Sequence, residues 1–234
     1  FKLFKSMNKN PAFVKKKYPY LEDEKNLLEK FGKVFFCKNR VECINELIDQ
    51  DYDIAILDDG FQDFSIKKNL SILCFNSKQK IGNGYLLPSG PLREELSSIN
   101  RASCILVNGE KDTSFEDMIL KFNPSSQIFY FKYQLVMKEN LNKKRIVAFA
   151  GIGNPDNFFD LLKSNNLEIL KTFSFPDHYN YTLNDLEKLK QFAVAENATL
   201  LTTEKDYCRV KEKTNINYAN LKIKFENLDK FTKF

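Results

Sequence analysis

Four stretches of this chain combine side chains able to do chemistry with a setting that could present them. The first is IAILDDGFQ, residues 54–62, an apolar run ending in adjacent carboxylates, Asp58 and Asp59, and a glycine. In a parallel α/β sheet, ligands bind beyond the carboxyl ends of the strands, so this pair lies where a cation could be held. A hydrophobic strand ending in Asp is the Walker B arrangement, whose acid holds Mg²⁺ against nucleotide phosphates. It is also an ordinary strand-ending turn, since Asp and Gly punctuate strands. The stretch by itself leaves both readings open.

The second is IGNGYLLPSGPLRE, residues 81–94, a loop with specific backbone demands that ends in Arg93-Glu94. An Arg can clamp a phosphate bidentately, and a Glu can give an oxygen ligand to a divalent metal. Taken alone, an exposed loop with a surface ion pair accounts for it more simply. The third is FSFPDHYNYT, which carries the only histidine, His178. A loop histidine is more often a bystander than a catalyst, yet it is the sole side chain here whose ordinary titration falls near neutrality. The fourth is LLTTEKDYCRV, residues 200–210. Thr203 and Asp206 have capping-box spacing, while Lys205 and Arg209 are helix cations with no assigned role.

A Walker B is expected to accompany the phosphate cradle G-x-x-x-x-G-K-[ST], and no such motif occurs among the eight glycines of this chain. Gly151-Ile152-Gly153 follows a strand, but Asp156 stands at the third glycine position of a dinucleotide fingerprint, so that reading fails. A tight turn with Asn154 and Pro155 opening a helix explains it.

The elements that must position these groups alternate. Strand-like runs fall at 33–37, 54–57, 71–75, 103–107, 128–135, 145–150, 169–175, 199–203 and 221–225, rich in β-branched and aromatic residues. Helical patterns fall near 24–31, 40–50, 113–122, 155–165 and 183–197. In the last of these Thr182 is the expected N-cap, and Leu183, Leu186, Leu189, Phe192 and Ala193 share a face. Strands alternating with helices predict an α/β protein with a mostly parallel sheet. The polar stretch 137–144 reads as a linker between residues 1–136 and a second α/β lobe, 145–234.

Composition narrows the classes. Hydrophobic content of 43% with 29% charged residues is that of a globular protein, and the net charge of +5 is modest. Lys15-Lys16-Lys17 and Lys143-Lys144-Arg145 read as solvated loops that would favour an anionic membrane surface or phosphorylated substrate. No interleaving of aromatic and basic residues points to nucleic acid. No apolar run is long enough to span a membrane. The five cysteines show no metal-ligand spacing; Cys37, Cys74 and Cys104 sit in apolar runs and read as buried, reduced thiols. The opening FKLFKSMNKNPAF is neither a signal peptide nor a tidy domain start, and reads as part of a fragment whose natural N-terminus has been removed.

The order of the motifs is more specific than any one of them. LDDGFQ, GNGxLLPxGPLRE, a strand ending in VNG (107–109), AFAGIGNPxxFF (148–159), FPDHxxY (175–181) and LLTTEKDxxR (200–209) together resemble the tetraacyldisaccharide 4′-kinase family, the lipid A 4′-kinases of Gram-negative bacteria. Upstream, residues 21–40 are similar to the family stretch built around G-D-E-P and K-x-R. There Glu22 replaces the Gly and Lys25 the Pro, so Asp23, Glu24, Lys38 and Arg40 carry over.

The resemblance implies a P-loop NTPase-like α/β fold, mostly parallel and flanked by helices, in two lobes. It implies transfer of the γ-phosphate of ATP, with Mg²⁺, to the 4′-hydroxyl of a tetraacylated glucosamine disaccharide 1-phosphate at the cytoplasmic face of the inner membrane. Asp23 would be the base, with His178 paired to it. Asp58, Asp59 and Glu94 would serve the metal, and Arg40, Gln62 and Arg93 would position phosphates or substrate polar groups. The family's Walker A and membrane-docking helix would lie N-terminal to these residues, and the chain as it stands is expected to be inactive. Two rivals remain at this stage: a non-catalytic lipid- or partner-binding module derived from such a kinase, and a metal-dependent glycosyltransferase, which would leave TTEKD and AGIGNP unexplained.

Overall fold

The structure, a computed structural model, describes residues 1–18, 22–136 and 145–234; the side chains of Glu22 and Asp23 also lie outside the described set. The linker expected at 137–144 falls outside it as well. The first part runs α1 (Lys2–Ser6), β1 (Pro11–Lys16), α2 (Glu22–Glu29), β2 (Val34–Cys37), α3 (Arg40–Asp49) and β3 (Ile54–Leu57). Then come β4 (Ile72–Asn76), a 3-10 turn (Leu96–Arg101), β5 (Cys104–Asn108), α4 (Thr113–Phe122) and β6 (Gln127–Val136). The remainder is β7 (Ile146–Ala150), α5 (Pro155–Ser164), β8 (Ile169–Ser174), α6 (Leu183–Ala195) and β9 (Thr199–Thr203). It closes with α7 (Glu204–Arg209), β10 (Ile216–Phe225) and α8 (Leu228–Lys233).

Among the described residues the strands form two sheets, β2-β1-β3, wholly parallel, and β4-β5-β6-β10-β9-β7-β8, in which only the β6–β10 pair is antiparallel. That pair joins strands from both sides of residues 137–144 into one sheet. β7 is buried along its whole length between α5 on one face and α6 on the other, as expected of a parallel strand covered on both sides. β3 and β4 are the facing edges of the two sheets. Between them runs a trough of about 1250 Å³ lined by Ile54, Leu57, Leu70, Leu73 and Phe75.

Several expectations are corrected. Pro11–Lys16, expected as an untidy start running into a solvated lysine loop, is the central strand of the small sheet. Ala12, Phe13 and Val14 are buried in it, and Lys15 is 7% exposed. Its apolar run is short and abuts three lysines, which hides its strand character, and partners that neutralise Lys15 come from elsewhere in the fold. Cys37 and Cys43 are not reduced thiols but form a disulfide; β2 turning directly into α3 brings their Cα atoms to 5.9 Å, within bonding range. Cys74 is exposed rather than buried because β4 faces the trough.

Two polar clusters hold the loops that bear the motifs. In the first, the Arg40 guanidinium donates to the backbone carbonyls of Asp58 (2.8 Å) and Asp59 (3.1 Å) and pairs with Asp63 (3.0 Å), which pins the turn after β3. In the second, the fully buried Asp206 carboxylate accepts from Tyr181 (2.9 Å), Thr203 (2.6 Å) and Arg209 (3.1 Å). Arg209 also donates to the carbonyl of Gly151 at 2.8 Å. A Cβ at Gly151 would lie 2.9 Å from the Tyr181 hydroxyl and 3.2 Å from Asp206, so glycine is required by close approach. One carboxylate thus ties the AGIGNP, FPDHxxY and TTEKD stretches together.

Replacing Asp206 by Ala breaks a buried ion pair and removes the acceptor shared by Tyr181, Thr203 and Arg209, and breaking such a buried pair costs about 3–5 kcal/mol; urea denaturation should show it. A second check concerns acid. The hydrogen bond from Ser65, with that from Arg40, brings the Asp63 carboxyl down to about 2. A depressed carboxyl contributes stability above its unfolded value of about 3.9, and that contribution fades as pH falls toward the folded value. Asp63→Asn should therefore lose less unfolding free energy between pH 5 and pH 2 than the parent, by parallel denaturation curves.

Candidate active site

The C-terminal ends of β1 and β3 lie side by side because the strands are parallel and in register, with Val14 opposite Leu57. This places Lys15, which follows Val14, beside Asp58, which follows Leu57. The Lys15 ammonium is bonded to the Asp58 carboxylate and, at 2.6 Å, to Glu24 on α2. Burial works to lower the Lys15 ammonium, but the hydrogen bonds to Asp58 and Glu24 outweigh it and raise it above the ordinary lysine value. Burial works equally to raise Glu24, and Lys15 first, then Lys205, outweigh it and hold that carboxyl below its usual value.

Asp59 points the other way. Its backbone sits in the left-handed region, with φ +51°, and both its carboxylate oxygens accept from Arg93 at 2.9 Å. Aspartate tolerates that conformation better than most residues. Asp59, Arg93, Gln62, Arg40, Lys16 and Lys38 line one polar pocket of about 530 Å³, large enough for a small anionic group. The three residues expected to position phosphates are therefore together, although the Arg40 guanidinium is itself engaged with the turn after β3. Glu94 follows Arg93 and is bonded to Arg101, while its Oε1 is buried with no hydrogen-bond partner among the described residues. Among the described residues, no three acidic, His or Cys side chains form a metal cage, so Asp58, Asp59 and Glu94 do not converge as one cluster.

His178 comes from the loop between β8 and α6. Its backbone also has positive φ, +57°, and its N–H donates to the carbonyl of Gly151 at 3.2 Å and the Asp177 carboxylate at 2.9 Å. The imidazole Nε2 is 3.3 Å from Lys205 Nζ, and Lys205 Nζ is 3.3 Å from Glu24 Oε1. Helices α2 and α7 pack together, reinforced by Lys30–Glu204 at 2.7 Å. An unbroken polar line thus runs from Asp58 through Lys15, Glu24 and Lys205 to His178. Asp23 lies in the first turn of α2, next to Glu24, and its side chain is outside the described residues.

Sequence reasoning missed Lys15 and gave Lys205 no role. Nothing near Lys15 signals burial. For Lys205 the only clue was its place in the first turn of a helix that follows a strand end.

The geometry can be set beside known proteins. A family profile described as Tetraacyldisaccharide-1-P 4′-kinase matches residues 7–234. A tetraacyldisaccharide 4′-kinase of Pelagibacter ubique is 38% identical over 206 residues, covering 87% of this chain and 66% of that protein. One of Rickettsia bellii is 33% identical over 219 residues, covering 92% of this chain and 67% of its own length. This chain therefore spans about two thirds of the length of these relatives. The crystal structure of LpxK from Aquifex aeolicus in complex with ATP superposes with a TM-score of 0.73 at 25% identity, over 99% of this chain and 79% of that one. The α/β architecture with mostly parallel sheets flanked by helices is thus that of a known kinase fold. On the match over residues 7–234 and the shared fold, this chain belongs to the tetraacyldisaccharide 4′-kinase family.

Proposed function

We propose that the chain forms the metal- and acceptor-side part of an ATP-dependent kinase that phosphorylates the 4′-hydroxyl of a tetraacylated glucosamine disaccharide 1-phosphate. The carrying observation is the polar line that joins Asp58, at the tip of β3, through Lys15, Glu24 and Lys205 to the chain's single histidine, His178. Phosphoryl transfer asks the protein mainly for positioning and charge stabilisation, and this arrangement provides both.

In this reading Asp23 takes the proton of the acceptor hydroxyl, and His178 holds that carboxylate in orientation. Arg93 and Gln62, with Lys16 and Lys38 in the same pocket wall, hold anionic oxygens, and Arg40 keeps the wall in shape. Mg²⁺ is commonly held by one or two carboxylates and completed by substrate phosphates rather than by a protein cage. The acids at the β3 tip and the unpartnered Glu94 oxygen fit that pattern. Asp58, Asp59 and Glu94 would hold the ion, which would supply charge neutralisation at the transferring phosphoryl group. The trough between β3 and β4 supports the reading too. Asp58 and Asp59 line it at the carboxyl end of β3, where ligands bind in parallel α/β sheets.

Among the described residues no helix is long and apolar enough to cross a membrane. A lipid acceptor would be met at the cytoplasmic face of the inner membrane. The missing G-x-x-x-x-G-K-[ST] motif favours a second reading, a lipid- or partner-binding module without catalysis.

In the natural gene product, Asp23→Ala and His178→Ala should each lower turnover about 10²–10⁴-fold, the contribution of a positioned base, with unchanged circular dichroism. Full rates in both would remove the base assignment. Isothermal titration of that gene product with Mg²⁺–ATP should show binding, and its absence would leave the binding module. The chain of residues 1–234 alone should not phosphorylate the lipid disaccharide; radiolabel transfer from ATP by it would overturn that expectation.

A further inference from the structure

Lys205 has no role in the function described so far, yet it links Glu24 on α2 to the imidazole of His178. Its Nζ is 3.3 Å from Glu24 Oε1 and 3.3 Å from His178 Nε2. The side chain is 25% exposed, as is that of Glu24. Among the described residues Asp177 also faces the imidazole, 4.0 Å from Nε2. Behind Glu24 stands Lys15, so this carboxylate bridges two ammonium groups.

An ammonium has three donors and no acceptor, whereas each nitrogen of a neutral imidazole is either donor or acceptor. Lys205 can therefore hydrogen-bond Nε2 only when that nitrogen keeps its lone pair, which puts the ring proton on Nδ1. Which nitrogen of a histidine carries the proton is set by the bond made at the other. We infer that Lys205 is a positioning residue that fixes His178 as the neutral Nδ1–H tautomer and anchors the ring to helix α2 through Glu24.

Local structure explains why a lysine at this place can do so. Thr203 caps α7 by accepting from the backbone N–H of Asp206 at 3.0 Å, and the Asp206 cluster fixes both that cap and, through Arg209, the Gly151 carbonyl that receives the His178 N–H. Lys205 and His178 are therefore mounted on one rigid unit. Glu24 and Asp23 belong to the opposing helix. The lysine sets the imidazole and, by its second contact, its distance from the turn that carries Asp23.

The inference rests on the kinase reading only for its kinetic consequence, because the tautomer can be read without any turnover. The chain has a single histidine, so its two ring nitrogens give unambiguous signals in a long-range ¹H–¹⁵N correlation spectrum. At alkaline pH, where an imidazole is neutral, the parent protein should show a protonated Nδ1 and an unprotonated Nε2. Lys205→Met should move the proton toward Nε2, and Lys205→Arg, which also offers only donors, should keep it on Nδ1. In the natural gene product, Lys205→Met should lower kcat by about ten- to a hundredfold, as small misplacements of catalytic groups do, with KM little changed and the arginine variant partly restored. A protonated Nε2 in the parent, or a spectrum unmoved by Lys205→Met, would overturn the inference. A shifted tautomer with no measurable kinase activity in the parent would support the positioning role and sink the kinase reading instead.

Discussion

The arrangement depends on one buried charge. Lys15 stands at the end of the central strand of the small sheet, almost wholly removed from water. An unpaired ammonium there would be prohibitively costly, and a paired one is sustained only by good geometry with its counter-ions. Asp58 and Glu24 supply that geometry from β3 and α2. Satisfying the lysine therefore fixes the strand register, the direction of the Asp58 carboxylate and the approach of α2. Asp59, next in the chain, is left to face the opposite side and meet Arg93.

The second half of the site is built on the same physical terms with different residues. Asp206 has no exposure, and three donors converge on it. Because Tyr181 comes from one stretch, Thr203 and Arg209 from a second, and Arg209 also holds the Gly151 carbonyl of a third, one carboxylate makes a rigid frame out of loops. Burial next to that carboxylate pushes the Tyr181 hydroxyl far up, so it stays a donor at any ordinary pH. The frame presents His178 and Lys205, each partly exposed. Glu24 is the point where the two frames touch, held between an ammonium from each.

This economy explains how motifs that look weak one by one can be specific in order. GIGNP, and TTEKD apart from Lys205, lend no side chain to the polar line in this account. Gly151 is a glycine because the tyrosine and Asp206 approach its backbone, and Thr203 and Asp206 cap a helix while also closing the cluster. Their work is to hold two side chains in place. The anion pocket is similar: Arg40, which the resemblance casts as a ligand of phosphates or substrate polar groups, gives its two terminal nitrogens to two backbone carbonyls and Asp63.

What the sequence by itself determined was what near neighbours decide. The apolar run at 54–57, the helix at 113–122 and the capped helix after Thr182 appear in the structure where the pattern puts them, because strand and helix periodicity and caps act over a few residues. The acid pair at a strand end and the ordered motifs were legible for the same reason. What only the tertiary structure decided was which charges meet. Lys15 finds Asp58 across 43 residues and Lys30 finds Glu204 across 174, and no local rule reports a partner so far away. β1 was hidden for that reason as well, since a strand ending in lysines makes sense only once its buried charge has counter-ions. The disulfide at Cys37 and Cys43 likewise follows from the angle at which β2 hands over to α3, which spacing alone does not reveal.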